Sequence, residues 1–192
     1  MGTSINQSSP PTASWHFVFS AYMSPAIPSR RIVQEIWRAA TNQTEGDLRT
    51  GLSSPTVAKC FKIALESHDV KEAVSTASRM IALSGTSTVA TDIAMRALVL
   101  SFLKGKDRKS TYVGALFSET LNYLVARDLP GYVGKSDRLE NVSASISFKN
   151  QLKSEVETLV LSQPIPEQVL ADMSIWKSYI YQTIDFLKVR KE

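Results

Sequence analysis

Apolar residues recur at steps of three and four along most of this chain, a period that predicts helices. Ile32, Val33, Ile36, Trp37 and Ala40 form one face of a first helix opening at Pro28 or Ser29, with Arg30, Arg31, Glu35 and Arg38 outside it. Thr44 to Gly51 reads as a polar connector. Ser54-Pro55, a cap followed by proline at the first helical position, announces a second helix that turns Val57, Phe61, Ala64 and Leu65 inward. Asp69 can cap a third, carrying Val70, Ala73, Ala77, Met80 and Ile81, which Gly85 stops. Thr88 to Lys109 is apolar on nearly every side and predicts the helix at the centre of a bundle. Its lone internal cation, Arg96, must snorkel, meet a carboxylate such as Asp92, or reach a ligand, because an unpaired buried charge is very costly.

Beyond it, Tyr112, Leu116, Leu121 and Leu124 keep helical spacing until Leu129-Pro130-Gly131, and a charged loop runs to Glu140. From Asn141 to Gln163 two periods compete. Val142, Ala144, Ile146 and Phe148 alternate as in a strand, whereas Leu152, Val156, Leu159 and Val160 repeat as in a helix, which favours a helix from about Ser147 and leaves residues 141–150 open. Val169, Met173, Trp176, Ile180, Ile184 and Leu187 then make the most regular stripe in the chain, able to pack on the core or on a partner. The expected fold is therefore all-α, a compact bundle of six or seven helices spanning residues 29–188, with a basic tail at 189–192. Ahead of it lies an extended N-terminal arm, residues 1–28. Its first fourteen residues are polar, and Trp15, Phe17, Phe19 and Tyr22 then crowd an aromatic strap without regular period. That strap either lies over the core or docks into a neighbouring subunit; with Trp176, its aromatics are the candidate assembly residues.

Composition narrows the class. A chain of 192 residues fits one domain, and 43% hydrophobic with 21% charged residues, at a mean hydropathy of -0.08, is ordinary for a globular protein. A single cysteine, Cys60, excludes an intrachain disulfide framework and points to a reducing, intracellular compartment. No apolar run is long enough to span a membrane, and the N-terminus lacks a secretory pattern. Two histidines, one cysteine and scattered acids provide no metal or nucleophile arrangement, and Gly134-Lys135-Ser136 lacks the earlier glycine and the strand that a phosphate loop needs. Neither a cofactor nor an enzyme is expected. The remaining signal is positive charge: a net charge of +4 and two basic clusters, Arg30, Arg31 and Arg38 on the first helix and Lys104, Lys106, Arg108 and Lys109 after the central one. Such clusters can neutralise phosphates without reading sequence.

Phe17-Val18-Phe19, Ala21-Tyr22, Pro25, Asn42-Gln43, Arg49-Thr50 and the run from Ala90 to Gly105 resemble segments of the coat proteins of rod-shaped plant viruses of the tobamovirus type. Nothing after about Lys109 has a counterpart. The resemblance implies a four-helix-bundle subunit that coats single-stranded RNA in a helical array, with Arg49 and Arg96 near the RNA. The expected function is thus a coat or nucleocapsid-like protein that assembles with copies of itself on single-stranded RNA. The alternative is an all-α adaptor that binds another protein through its C-terminal amphipathic helix.

Overall fold

Backbone capping explains where most of the helices begin. In the computed structural model, which describes residues 13–85, 88–104 and 107–189 but not the side chains at 13–14 and 42–47, eight α-helices follow one another. They are α1 (Ala13–Met23), α2 (Ser29–Leu52), α3 (Pro55–Glu66), α4 (Val70–Ser84), α5 (Val89–Leu103), α6 (Arg108–Ala126), α7 (Val142–Leu161) and α8 (Met173–Lys188). Ser54, Asp69, Thr88, Asp107, Asn141 and Asp172 each accept a main-chain N–H of the first turn that follows. Thr88 and Thr91 do so reciprocally. Gly85 closes α4 in the left-handed region at φ 65°, which a side chain would strain. Among the described residues there is no strand, so the all-α bundle expected from the periodicity is what forms.

The centre of that bundle is α6, flanked by α5 and α7, and not α5 as the apolar run at Thr88–Lys109 suggests. Every residue from Tyr112 to Leu121 is buried. α5 instead leaves Val89, Asp92, Arg96 and Leu103 exposed. α2 crosses the bundle and carries α1, α7 and α8, while α3 and α4 form a hairpin against α5. Large side chains knit these layers together. Phe61 stacks on Tyr112 at 4.6 Å, Trp176 lies 5.7 Å from Phe61, and Trp37 packs 5.9 Å from Phe117. Each such fully buried apolar side chain contributes about 1.5–3 kcal/mol. The hydroxyl of Tyr112 donates to Val57 O at 3.1 Å, so its polar atom is satisfied inside the core.

Three local expectations change. The aromatic strap is not extended: Trp15–Tyr22 lies within α1, with Trp15, Val18, Ala21 and Tyr22 in the core and Phe17 and Phe19 half-buried. A helix that is apolar all round shows no period, which is why its sequence resembles an irregular segment. Residues 1–12 of the expected arm lie outside the described residues. α2 runs through Thr44–Gly51 without a break, and Leu48 and Leu52 return it to the core after a polar stretch. α7 begins at Val142 rather than near Ser147, where the Asn141 side chain caps it by accepting the Ala144 N–H at 2.9 Å; its first turns leave Val142 and Ile146 to solvent and bury only Phe148, which hides the helical period in the sequence. Among the described residues, 29–188 hold seven α-helices, within the six or seven expected, and α1 adds an eighth from the strap; this is a larger bundle than the four helices the viral resemblance implies.

Candidate functional site

The cations nominated by the sequence divide into those that the fold itself engages and those that it leaves exposed. Arg38 on α2 donates Nε to Lys188 O at 2.8 Å and Nη1 to Glu35 at 3.0 Å. Arg49 pairs with Asp185 at 2.5 Å and lies over the Tyr181 ring. Arg108 donates to Ser67 O at 2.5 Å and to His68 O at 3.2 Å, with its guanidinium 4.1 Å above Phe102. Lys109 reaches Pro166 O at 3.0 Å. The carbonyls of Lys188 and Ser67 lie at helix ends, where an α-helix cannot satisfy them internally and a cation also meets the negative end of the helix dipole; Pro166 O instead belongs to the turn before α8 and also accepts the Val169 N–H. The same logic explains why two cations can sit in the first turn of α6, where the dipole disfavours them: Asp107 caps that turn, and Arg108 serves the end of α3.

Arg138, which the sequence did not nominate, is the most complete case. It donates to Ala21 O and Pro25 O at 2.9 Å and to Ile27 O at 2.7 Å, closing the end of α1 and the turn that follows. No local pattern reveals this, because donor and acceptors lie more than a hundred residues apart.

Arg96 and Lys104 are held more loosely. Arg96 is 64% exposed and stands 3.8 Å from Glu119, not beside Asp92 as a partner, and Lys104 is 3.3 Å from Glu157. Glu119 is buried beneath Arg96 and also pairs with Lys153, while Glu157 accepts from Ser118 at 2.9 Å. Together these groups bridge α5, α6 and α7. Arg31 covers the Phe17 ring at 5.0 Å, and Arg30 is exposed with no counter-charge among the described residues. Lys106 lies outside the described residues. Two further exposed cations, Lys59 on α3 and Arg79 on α4, also have no acidic or carbonyl partner among the described residues. They are twenty positions apart, so neither belongs to a cluster visible in sequence.

The candidate assembly aromatics are largely committed inside the protein's own core. Trp15, Tyr22 and Trp176 are buried in its own core, whereas Phe17 and Phe19 keep a partly exposed edge. The stripe on α8 is likewise turned inward, burying Trp176, Ile180, Ile184 and Leu187 against the bundle. Cys60 is buried as expected, and loss of hydration pushes its thiol up to about 11.

A recess of about 520 Å³ between α1, α2, α5 and α6 is lined mainly by apolar side chains. Arg127 at its edge is engaged by Asp128 at 2.9 Å, so no charge converges on it. Among the described residues, no group of three His, Cys, Asp or Glu side chains is placed to hold a metal ion, and no helix is long and apolar enough to cross a membrane. Comparison with protein-family models, with curated proteins and with solved structures returned no match.

Proposed function

We propose that this protein is a non-enzymatic coat or nucleocapsid-like subunit that assembles with its own copies on single-stranded RNA. The observation that carries this reading is the division among the cations. Carbonyls and carboxylates of the fold occupy Arg38, Arg49, Arg108, Lys109 and Arg138, yet Arg30, Lys59, Lys71 and Arg79 face solvent without a counter-charge among the described residues. Positive charge therefore exceeds what the fold uses, in line with the net charge of +4. Arg96 and Lys104, each exposed and held by one carboxylate, can exchange that carboxylate for a phosphate. Leu103 and Val142 are exposed apolar side chains that contact between neighbouring subunits would cover. The competing adaptor reading relied on the α8 stripe, and that surface is occupied by the protein's own core.

Binding through backbone phosphates is salt-sensitive and indifferent to base sequence. Purified protein mixed with an unstructured RNA is expected to form large, nuclease-resistant particles visible by negative-stain electron microscopy and to elute early with excess absorbance at 260 nm. High salt should dissolve the complex. A monomer whose elution RNA does not change would overturn the proposal.

A further inference from the structure

The α3–α4 hairpin turns at Ser67–Asp69, so the first turns of α3 lie across from the last turns of α4. At that open end, Thr56 and Lys59 face Thr76, Arg79, Met80 and Leu83 across a cleft of about 470 Å³. The spacing of three and four residues on each helix brings these side chains onto the two facing walls. Only the small Ala73 and Ala77 of α4 are fully buried; Met80 is half-buried, packing against the core while also lining the cleft. Leu83 is 83% exposed, the most exposed of the protein's large apolar side chains among the described residues.

The chemistry of the cleft is one-sided. No Asp or Glu lines it, and Lys59 and Arg79 meet no carboxylate or carbonyl among the described residues. Thr56 is the second residue of α3, where a main-chain N–H has no acceptor within the helix; the Ser54 cap accepts the neighbouring N–H of Val57 instead. The dipole of α3 adds partial positive charge at the same end. Two cations, the hydroxyls of Thr56, Thr76 and Ser84 and a helix N-terminus thus adjoin an apolar ledge of half-buried Met80 and exposed Leu83. An anion attached to a flat apolar group suits both parts.

We propose that this cleft is a contact site for single-stranded RNA, in which Lys59 and Arg79 neutralise backbone phosphates and the Met80–Leu83 ledge receives the face of a base. This rests on the RNA-coating function proposed above and locates one of its contacts away from the loop between α5 and α6. The test is fluorescence anisotropy with a labelled oligouridylate, using the full chain over a series of potassium chloride concentrations. Each phosphate contact to a single strand contributes about 0.7 to the slope of log affinity against log salt. Lys59→Gln and Arg79→Gln should therefore each lower the slope by about 0.7, and the pair by about 1.4. Leu83→Ala should weaken binding several-fold at an unchanged slope. Lys135→Gln with Lys177→Gln removes two exposed cations outside the cleft and serves as the charge control; its slope should stay nearer to that of the wild type than the cleft pair's does. Lys59, Arg79 and Leu83 are exposed, Lys135 and Lys177 each lie 5.5 Å over a tyrosine ring, of Tyr132 and Tyr181, and unchanged circular dichroism melting will confirm that the variants fold. Wild-type binding with an unaltered slope in the Lys59/Arg79 pair would overturn the cleft alone; no RNA binding by the wild type would overturn the coating function with it.

Discussion

A guanidinium that donates to three main-chain carbonyls does work that no single neighbouring residue can replace. Arg138 holds Ala21, Pro25 and Ile27 while lying 5.0 Å above the Phe148 ring. Arg138→Ala leaves those acceptors without their donor and should lower unfolding stability by about 1.5–3 kcal/mol, the range for hydrogen bonds to a charged group. Arg138→Lys should recover only a minority of the loss, since one ammonium cannot reproduce the planar fork. Urea unfolding of the three proteins measures both, and equal stability of the lysine variant and the wild type would contradict the fork geometry. The same consideration changes what a substitution at Arg108 reports: it primarily removes the cap on the end of α3, so lost RNA binding in such a variant would not identify a phosphate contact.

At the scale of helices, two helical glycines predict opposite outcomes. A Cβ at Gly114 of α6 meets Glu157 and Leu161 of α7 at ordinary distances of 3.6 Å and more, so Gly114→Ala should gain about 0.5–1 kcal/mol of helix stability. At Gly51 of α2 the added carbon comes within 3.0 Å of the Ala90 Cβ, a short side chain fixed to the α5 backbone. There α2 and α5 must separate, and Gly51→Ala should destabilise. Thermal melting of the two variants decides, and shifts of the same sign would refute the contrast. Helix placement was legible wherever a cap or a one-sided stripe marks it, as at Ser54-Pro55, Asp69 and Gly85. The central position of α6 was not. Its buried face includes Gly114, Ser118, Glu119 and Thr120, residues that hydropathy assigns to the surface and that are accommodated here by close packing, by Glu157, by Lys153 and by the Leu116 carbonyl. Hydropathy registers what a side chain is, not whether its partner will be found.

Over the whole molecule, acid stability collects the effects of three carboxyls held below their ordinary value of 3.8. The Ser110 hydroxyl lowers Asp107 and the Ser174 N–H lowers Asp172; at Asp185 burial opposes, and hydrogen bonds from Arg49 and Lys188 outweigh it. Because the unfolded chain takes up these protons first, their stabilisation is complete above about pH 5 and fades as pH falls below about 4. Unfolding free energies across this interval should fall less steeply in Asp107→Asn with Asp172→Asn than in the wild type; parallel curves would rule out the linkage. The fold class was readable from periodicity alone, but the division among the cations was not, because Arg38, Arg49 and Arg138 meet partners more than a hundred residues away.

Those distances also bear on how the protein is made. Gln34 and Arg38 on α2 donate to the carbonyls of Val189 and Lys188 at the end of α8, some 150 residues later. A ribosome therefore releases α2 long before the helix that completes its surroundings exists. Throughout synthesis the apolar side of α2 must be shielded by provisional contacts or by a chaperone, and a chain stopped short of α8 would leave that side open to aggregation.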